Sequence, residues 1–89
     1  MPLVSTFYGI IIYMYFKDND QHKTPHIHAR YGGEKASFDL VTGELLAGSL
    51  PPKQTKFVQT WIMLRQEDLA TNWDLALNNE QPYRIEPLK

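Results

Sequence analysis

The three histidines of this chain fall within seven positions, at His22, His26 and His28, and two carboxylates, Asp18 and Asp20, precede them in the same stretch. No other segment concentrates so many groups able to bind a metal or move a proton. On an extended strand, residues two apart point the same way and sit about 6.5–7 Å apart, so His26 and His28 can converge on one ion or one anionic group while Ile27 faces the core. A metal there would draw its third ligand, His22 or Asp20, from the loop and leave an open coordination position of the catalytic-zinc kind. The same imidazoles suit acid–base chemistry or a phosphate contact, because imidazole titrates near neutrality and Arg30 follows them in register. His26, His28 and Arg30 are therefore the candidate catalytic residues. Lys23 and Lys35 can flank them from the loop and the opposite strand, with Tyr31 alongside, a binding set suited to RNA or another anionic partner. The plainer alternative is an ordinary outer strand face whose imidazoles stack on neighbours, with Pro25 marking where the strand begins.

The elements that must hold these residues are legible from pattern. Leu3 to Phe7 and Ile10 to Phe16 are β-branched and aromatic, parted by Tyr8-Gly9, and read as two strands or one bent strand. In the second run Ile10, Ile12, Met14 and Phe16 share one face and Ile11, Tyr13 and Tyr15 the other; both faces are apolar, which predicts a central strand. The polar stretch from Lys17 to Pro25 predicts a surface loop. His26 to Tyr31, the Gly32-Gly33 turn and Glu34 to Val41 predict a hairpin with Ala36, Phe38 and Leu40 on one side. Thr42-Gly43 turns into a further short strand, Glu44 to Leu50. Pro51-Pro52 then opens a helical segment. Phe57, Trp61 and Leu64 form one stripe of that segment, and Val58, Ile62, Leu69, Trp73 and Leu77 its neighbour. Gln66-Glu67-Asp68 is a candidate break, and Asn78-Asn79 with Pro82 ends the segment, leaving Tyr83 to Leu88 as an extended tail able to add to the sheet. The helical spacing of Trp61 and Trp73 predicts core packing rather than partner anchors. The expected fold is α+β: an antiparallel meander sheet of three to five strands with a C-terminal helical segment packed on one face, all in one domain spanning residues 1–89.

Composition bounds the function. At 89 residues there is room for one core. The longest apolar run, Tyr8 to Phe16, has nine residues, far short of the roughly 20 of a spanning helix. With no basic leader ahead of an apolar run, the expectation is a cytoplasmic protein without membrane association. The absence of cysteine excludes disulfides, thiolate metal sites and cysteine nucleophiles. A net charge of −1 gives nucleic acid no average attraction, so any anionic partner must be held by a local patch. GxSxG, HExxH and GxGxxG motifs are lacking, and Gly32-Gly33 is followed by no Lys-Ser/Thr, so it reads as a turn and not a phosphate loop. Asp39 and Glu44 lie by a turn, where carboxylates are ordinarily solvated, and are not taken as an acid pair.

Several of these residues also carry a likeness. Pro2 to Ile10, Met14-Tyr15-Phe16, Pro25-His26-Ile27-His28-Ala29-Arg30-Tyr31-Gly32, Thr42 to Pro51, Trp61, Asp68-Leu69, Asn72-Trp73 and Ile85 to Leu88 together resemble the small bacterial family catalogued as domain of unknown function 4160 over nearly the whole chain. The Pro-His-x-His-Ala-x-Tyr-Gly core is the specific element. The resemblance implies a component of a two-gene toxin–antitoxin-type operon, paired with a small protein encoded nearby, and it points to His26, His28, Arg30 and Tyr31 without naming a reaction. Where relatives have a short Asp-His-Asn-Pro-Pro-like approach, this chain has the longer run from Asp18 to Pro25. The leading expectation is thus a toxin-like protein acting on RNA or translation through its histidine strand. A non-catalytic binding or regulatory module pairing with a DNA-binding neighbour, and a metal-dependent hydrolase, are the alternatives. Cofactor identity stays open, and a homodimer is a candidate assembly.

Overall fold

The computed structural model describes residues 3–15 and 24–89. Five antiparallel strands, β1 (Leu3–Phe7), β2 (Ile10–Tyr13), β3 (His26–Tyr31), β4 (Glu34–Asp39) and β5 (Leu45–Gly48), lie side by side in chain order. Two helices follow, α1 (Pro52–Leu64) and α2 (Gln66–Leu77). The expected α+β meander is therefore present with five strands, and Tyr8-Gly9 makes two strands of the first run. Tyr8 and Gly9 both adopt positive φ, 51° and 79°, the type I′ geometry whose twist matches that of paired strands. Gly32 has φ 60° at the first central position of the β3–β4 turn. The β4–β5 connection is held by Asp39, whose Oδ1 accepts hydrogen bonds from the amides of Val41 (2.7 Å) and Thr42 (3.0 Å). That carboxylate is a turn element, as its position predicts.

Strand alternation sorts the side chains into two faces. Ile10, Ile12, Ile27, Ala29, Ala36 and Phe38 point inward and are buried against Val58, Trp61, Ile62, Leu69, Trp73 and Ala76 of the helices. Phe7 and Trp61 meet with ring centroids 5.5 Å apart. The helical stripes are narrower than the sequence suggests, since Leu64 and Leu77 are exposed at 61% and 46%. Pro52 starts α1 where no amide donor is needed. At Arg65 the backbone leaves helical geometry (φ −119°, ψ 31°), one residue ahead of the predicted break, and a new helix begins.

The tail does not become a sixth strand. Its backbone bonds to β1 once, Ile85 N–H to Val4 O at 2.8 Å. Side chains do the rest: the Trp61 indole donates to Glu86 O (2.8 Å), Arg65 to the carbonyls of Glu86 and Pro87 (3.1 Å each), and Asn72 both donates to and accepts from Tyr83 backbone. The proline spacing explains the difference, because Pro82 and Pro87 remove donors that a ladder would use. Among the described residues no helix is long and apolar enough to cross a membrane.

Candidate functional site

The outward sides of β2, β3 and β4 carry the site. Register sets Tyr13 opposite His28, His28 opposite Ser37 and Ser37 opposite Ala47, one row crossing four strands. Two residues along, Ile11, Arg30 and Lys35 form the adjoining row. Tyr13 and His28 stack nearly parallel, 5.3 Å between centroids and 14° between planes. Tyr15 crosses both, 5.3 Å and 77° from Tyr13, 4.9 Å and 63° from His28. Ser37 Oγ and His28 Nδ1 share a hydrogen bond of 3.3 Å. Tyr13, Tyr15, His28, Lys35, Ser37 and Gly48 line a shallow depression of about 300 Å³.

The two strand histidines occupy different environments. His28 is half-buried at the depression. His26 is only 1% exposed. Its Nδ1–H donates to Thr24 O at 2.7 Å, its ring lies 5.3 Å from that of Trp73 on α2, and it meets His28 edge-on at 5.1 Å. The sequence places both imidazoles on an outer face, and β3 does so by alternation, yet Trp73 reaches round to cover the His26 end. Because a carbonyl only accepts, this hydrogen bond puts a proton on His26 Nδ1. That arrangement resembles the outer support of a metal-binding histidine. Among the described residues, however, no three His, Cys, Asp or Glu side chains come together. The other candidate ligands, His22 and Asp20, and the candidate binding residue Lys23 lie outside the described residues.

Arg30 and Lys35 face one another directly across β3 and β4. Like charges in that position oppose strand pairing, and among the described residues neither forms an ion pair with a carboxylate. On the strands of this face the charged side chains are Arg30, Lys35 and Asp39, and Asp39 is engaged by the turn amides. A protein of net charge −1 thus presents a locally cationic surface here. Burial is the main reason the Tyr13 phenol titrates above its ordinary range; the adjacent Tyr15 adds to this and the Arg30 charge partly offsets it.

Tyr31, by contrast, points to the other side of β3. It packs on the hydrophobic core and against Gly9, whose added Cβ would stand 3.4 Å from Tyr31 Cε1. The structure therefore gathers His28, Arg30 and Lys35, buries His26 in the row on the other side of His28, and sets Tyr31 apart. Sequence reasoning had not included Tyr13, Tyr15, Ser37 and Gly48 in the site. Parity along each strand pairs Tyr13 with Tyr15 and Lys35 with Ser37, but it does not say what lies beside His28: the β2–β3 register joins the first pair to it and the β3–β4 register the second.

A family model described as domain of unknown function (DUF4160) matches residues 9–74. The chain belongs to this family. The DUF4160 match takes in β2 through β5, α1 and most of α2, and with them every residue of the depression, whereas β1 and the tail fall outside it. No curated protein and no solved structure matches the chain.

Proposed function

We propose that this DUF4160 domain is the toxin-like component of a two-gene toxin–antitoxin-type operon and that it acts on RNA through the sheet face around His28. The observation that supports this reading most is the coincidence, on one face, of a half-buried imidazole among aromatic rings with a pair of opposed cations, in a protein whose overall charge is negative. Stacking rings beside cations are the two elements from which RNA-binding surfaces are assembled. His28 is the group placed to exchange a proton, with Ser37 holding its Nδ1 side. Arg30 and Lys35 are placed to hold phosphate. His26 abuts His28 edge-on from the adjoining row of β3 and limits the positions its ring can take.

Growth after induced expression tests the proposal. The natural chain is expected to arrest growth, His28→Ala and Arg30→Ala to relieve the arrest at equal folded protein, and a protein encoded beside it to restore growth when co-expressed. Unchanged growth at expression levels verified by blotting would sink the toxin reading. A second reading, a non-catalytic binding module, is favoured by one feature: the depression is shallow and open, so a reacting group there is little shielded from water. That reading expects RNA or partner binding by the natural chain with no change in RNA integrity.

A further inference from the structure

Charged side chains of the sheet and of α1 are sorted by end. In a meander laid out in chain order, alternate turns fall at the same end of the sheet, so the Tyr8-Gly9 and Gly32-Gly33 tips lie together. Helix α1 begins there too, because Ser49 N–H donates to Lys35 O (3.1 Å) and the helix opens a few residues later at Pro52. Arg30, Lys35, Lys53 and Lys56 therefore stand at one end of the molecule, Arg30 half-buried and the three lysines exposed. Glu34, opposite Tyr31, is the carboxylate these elements add there, and among the described residues it pairs with none of the four cations. The other end is acidic. Asp39, about 14 Å along β4 from Lys35, forms the β4–β5 turn with Glu44, and Gln66 Nε2 donates to Leu40 O (2.8 Å), which brings the start of α2, with Glu67 and Asp68, to that turn. At the cationic end the Tyr8 tip joins the two layers. Its ring lies 5.0 Å from that of Phe57 on α1, the Lys53 ammonium stands 6.0 Å over the same Phe57 ring, and Gly9 abuts Tyr31, the residue after Arg30.

We infer that Lys53 and Lys56 carry the RNA contact from the sheet face round this end onto α1, so that the phosphate chain runs from Arg30 and Lys35 past the Tyr8 tip to the first two turns of the helix. The inference rests on the proposed action on RNA and adds the course of the strand across the protein. A protein partner is held round an apolar, desolvated centre with charges at its rim. Here the charges themselves form the band, an arrangement that matches a chain of phosphates. Four cations with one carboxylate among them repel one another in the free protein, and phosphates placed along the band relieve that repulsion. The separation of charge also reconciles RNA binding with a net charge of −1, because the acidic turn faces away from the strand while the cationic end steers its approach.

The test uses the full chain and a labelled, unstructured RNA, titrated by fluorescence anisotropy at several salt concentrations. Each phosphate contact on a single strand contributes about 0.7 to the slope of log affinity against log salt. The Lys53→Ala/Lys56→Ala variant should therefore lower that slope by about 1.4, and Arg30→Ala/Lys35→Ala by the same amount. The four substitutions together should lower it by about 2.8, because one strand touches both pairs. Arg84→Ala/Lys89→Ala removes the same charge from the tail and should leave the slope unchanged. Circular dichroism of each variant establishes that it is folded. An unchanged slope in Lys53→Ala/Lys56→Ala, or an equal fall in the tail variant, would overturn the course round the end and leave the action on RNA standing. The same holds if Lys53→Ala/Lys56→Ala keeps its RNA binding and loses instead the protein encoded beside it, which would assign this end to an acidic protein. Failure of the natural chain to bind RNA at low salt would overturn both.

Discussion

Replacing each strand histidine separately by alanine should give two very different proteins. His26→Ala removes a ring that is 1% exposed, its 2.7 Å hydrogen bond to Thr24 O and its contact with Trp73 at 5.3 Å. The lost hydrogen bond is worth about 1 kcal/mol and the aromatic contact about 0.5–1.5 kcal/mol. The cavity left beside Trp73 adds about 1 kcal/mol more. Together these predict a loss of about 3 kcal/mol, a large part of the roughly 4–13 kcal/mol expected for 89 residues. His28→Ala removes a half-buried ring whose place water can take, along with the Tyr13 stack and a long 3.3 Å hydrogen bond, and should cost about 1 kcal/mol. Urea denaturation followed by circular dichroism measures both. In melting temperature the His26 variant should fall by roughly 12–24 °C and the His28 variant by roughly 4–8 °C. At temperatures where both are folded, His28→Ala should lose more RNA binding than His26→Ala. Equal destabilisation by the two substitutions, or a His26→Ala protein within about 0.5 kcal/mol of the natural chain, the range of an ordinary surface change, would refute the division of labour.

Tyr13 titrates high chiefly because it is buried, so the fold favours its neutral phenol. The corresponding stability is present in full below the ordinary phenol value of about 10 and is lost as pH rises through the higher folded value; ultraviolet titration of tyrosinate should show the latest component missing in Tyr13→Phe. Gly48, at φ 70° with its missing Cβ against the Lys35 carbonyl, should tolerate alanine poorly, at a cost of about 2–4 kcal/mol by urea denaturation. Gly33, with open space around it, should accept alanine within about 0.5 kcal/mol in the same assay. Arg65→Ala removes both guanidinium bonds to the tail and should speed hydrogen exchange at the Ile85 amide, which bonds to Val4, several-fold more than exchange at strand amides of β3.

Alternation, turn residues and helical spacing are local properties, and they were sufficient for most of the architecture. The Gly32-Gly33 hairpin, the inward set Ala36, Phe38 and Leu40, the helix opening at Pro52 and the burial of Trp61 all follow from neighbours within a few positions. The same local reasoning put His26, His28 and Arg30 on one side of β3, because parity along a single strand needs no partner. It could not say which strand lay beside them. Tyr13 meets His28 only through the β2–β3 register, Ser37 only through the β3–β4 register, and Trp73 meets His26 through the approach of a helix more than forty residues away in the chain. Tyr31 shows the same limit from the other side, since nearness in sequence to Arg30 set it among the site candidates and strand alternation turned it toward the core. The sequence by itself therefore determined the elements, their inward faces and the address of the histidine strand. Tertiary structure alone decided that one histidine is packed beneath the surface and the other stands in an aromatic depression beside two cations, because burial and juxtaposition depend on which distant elements come together.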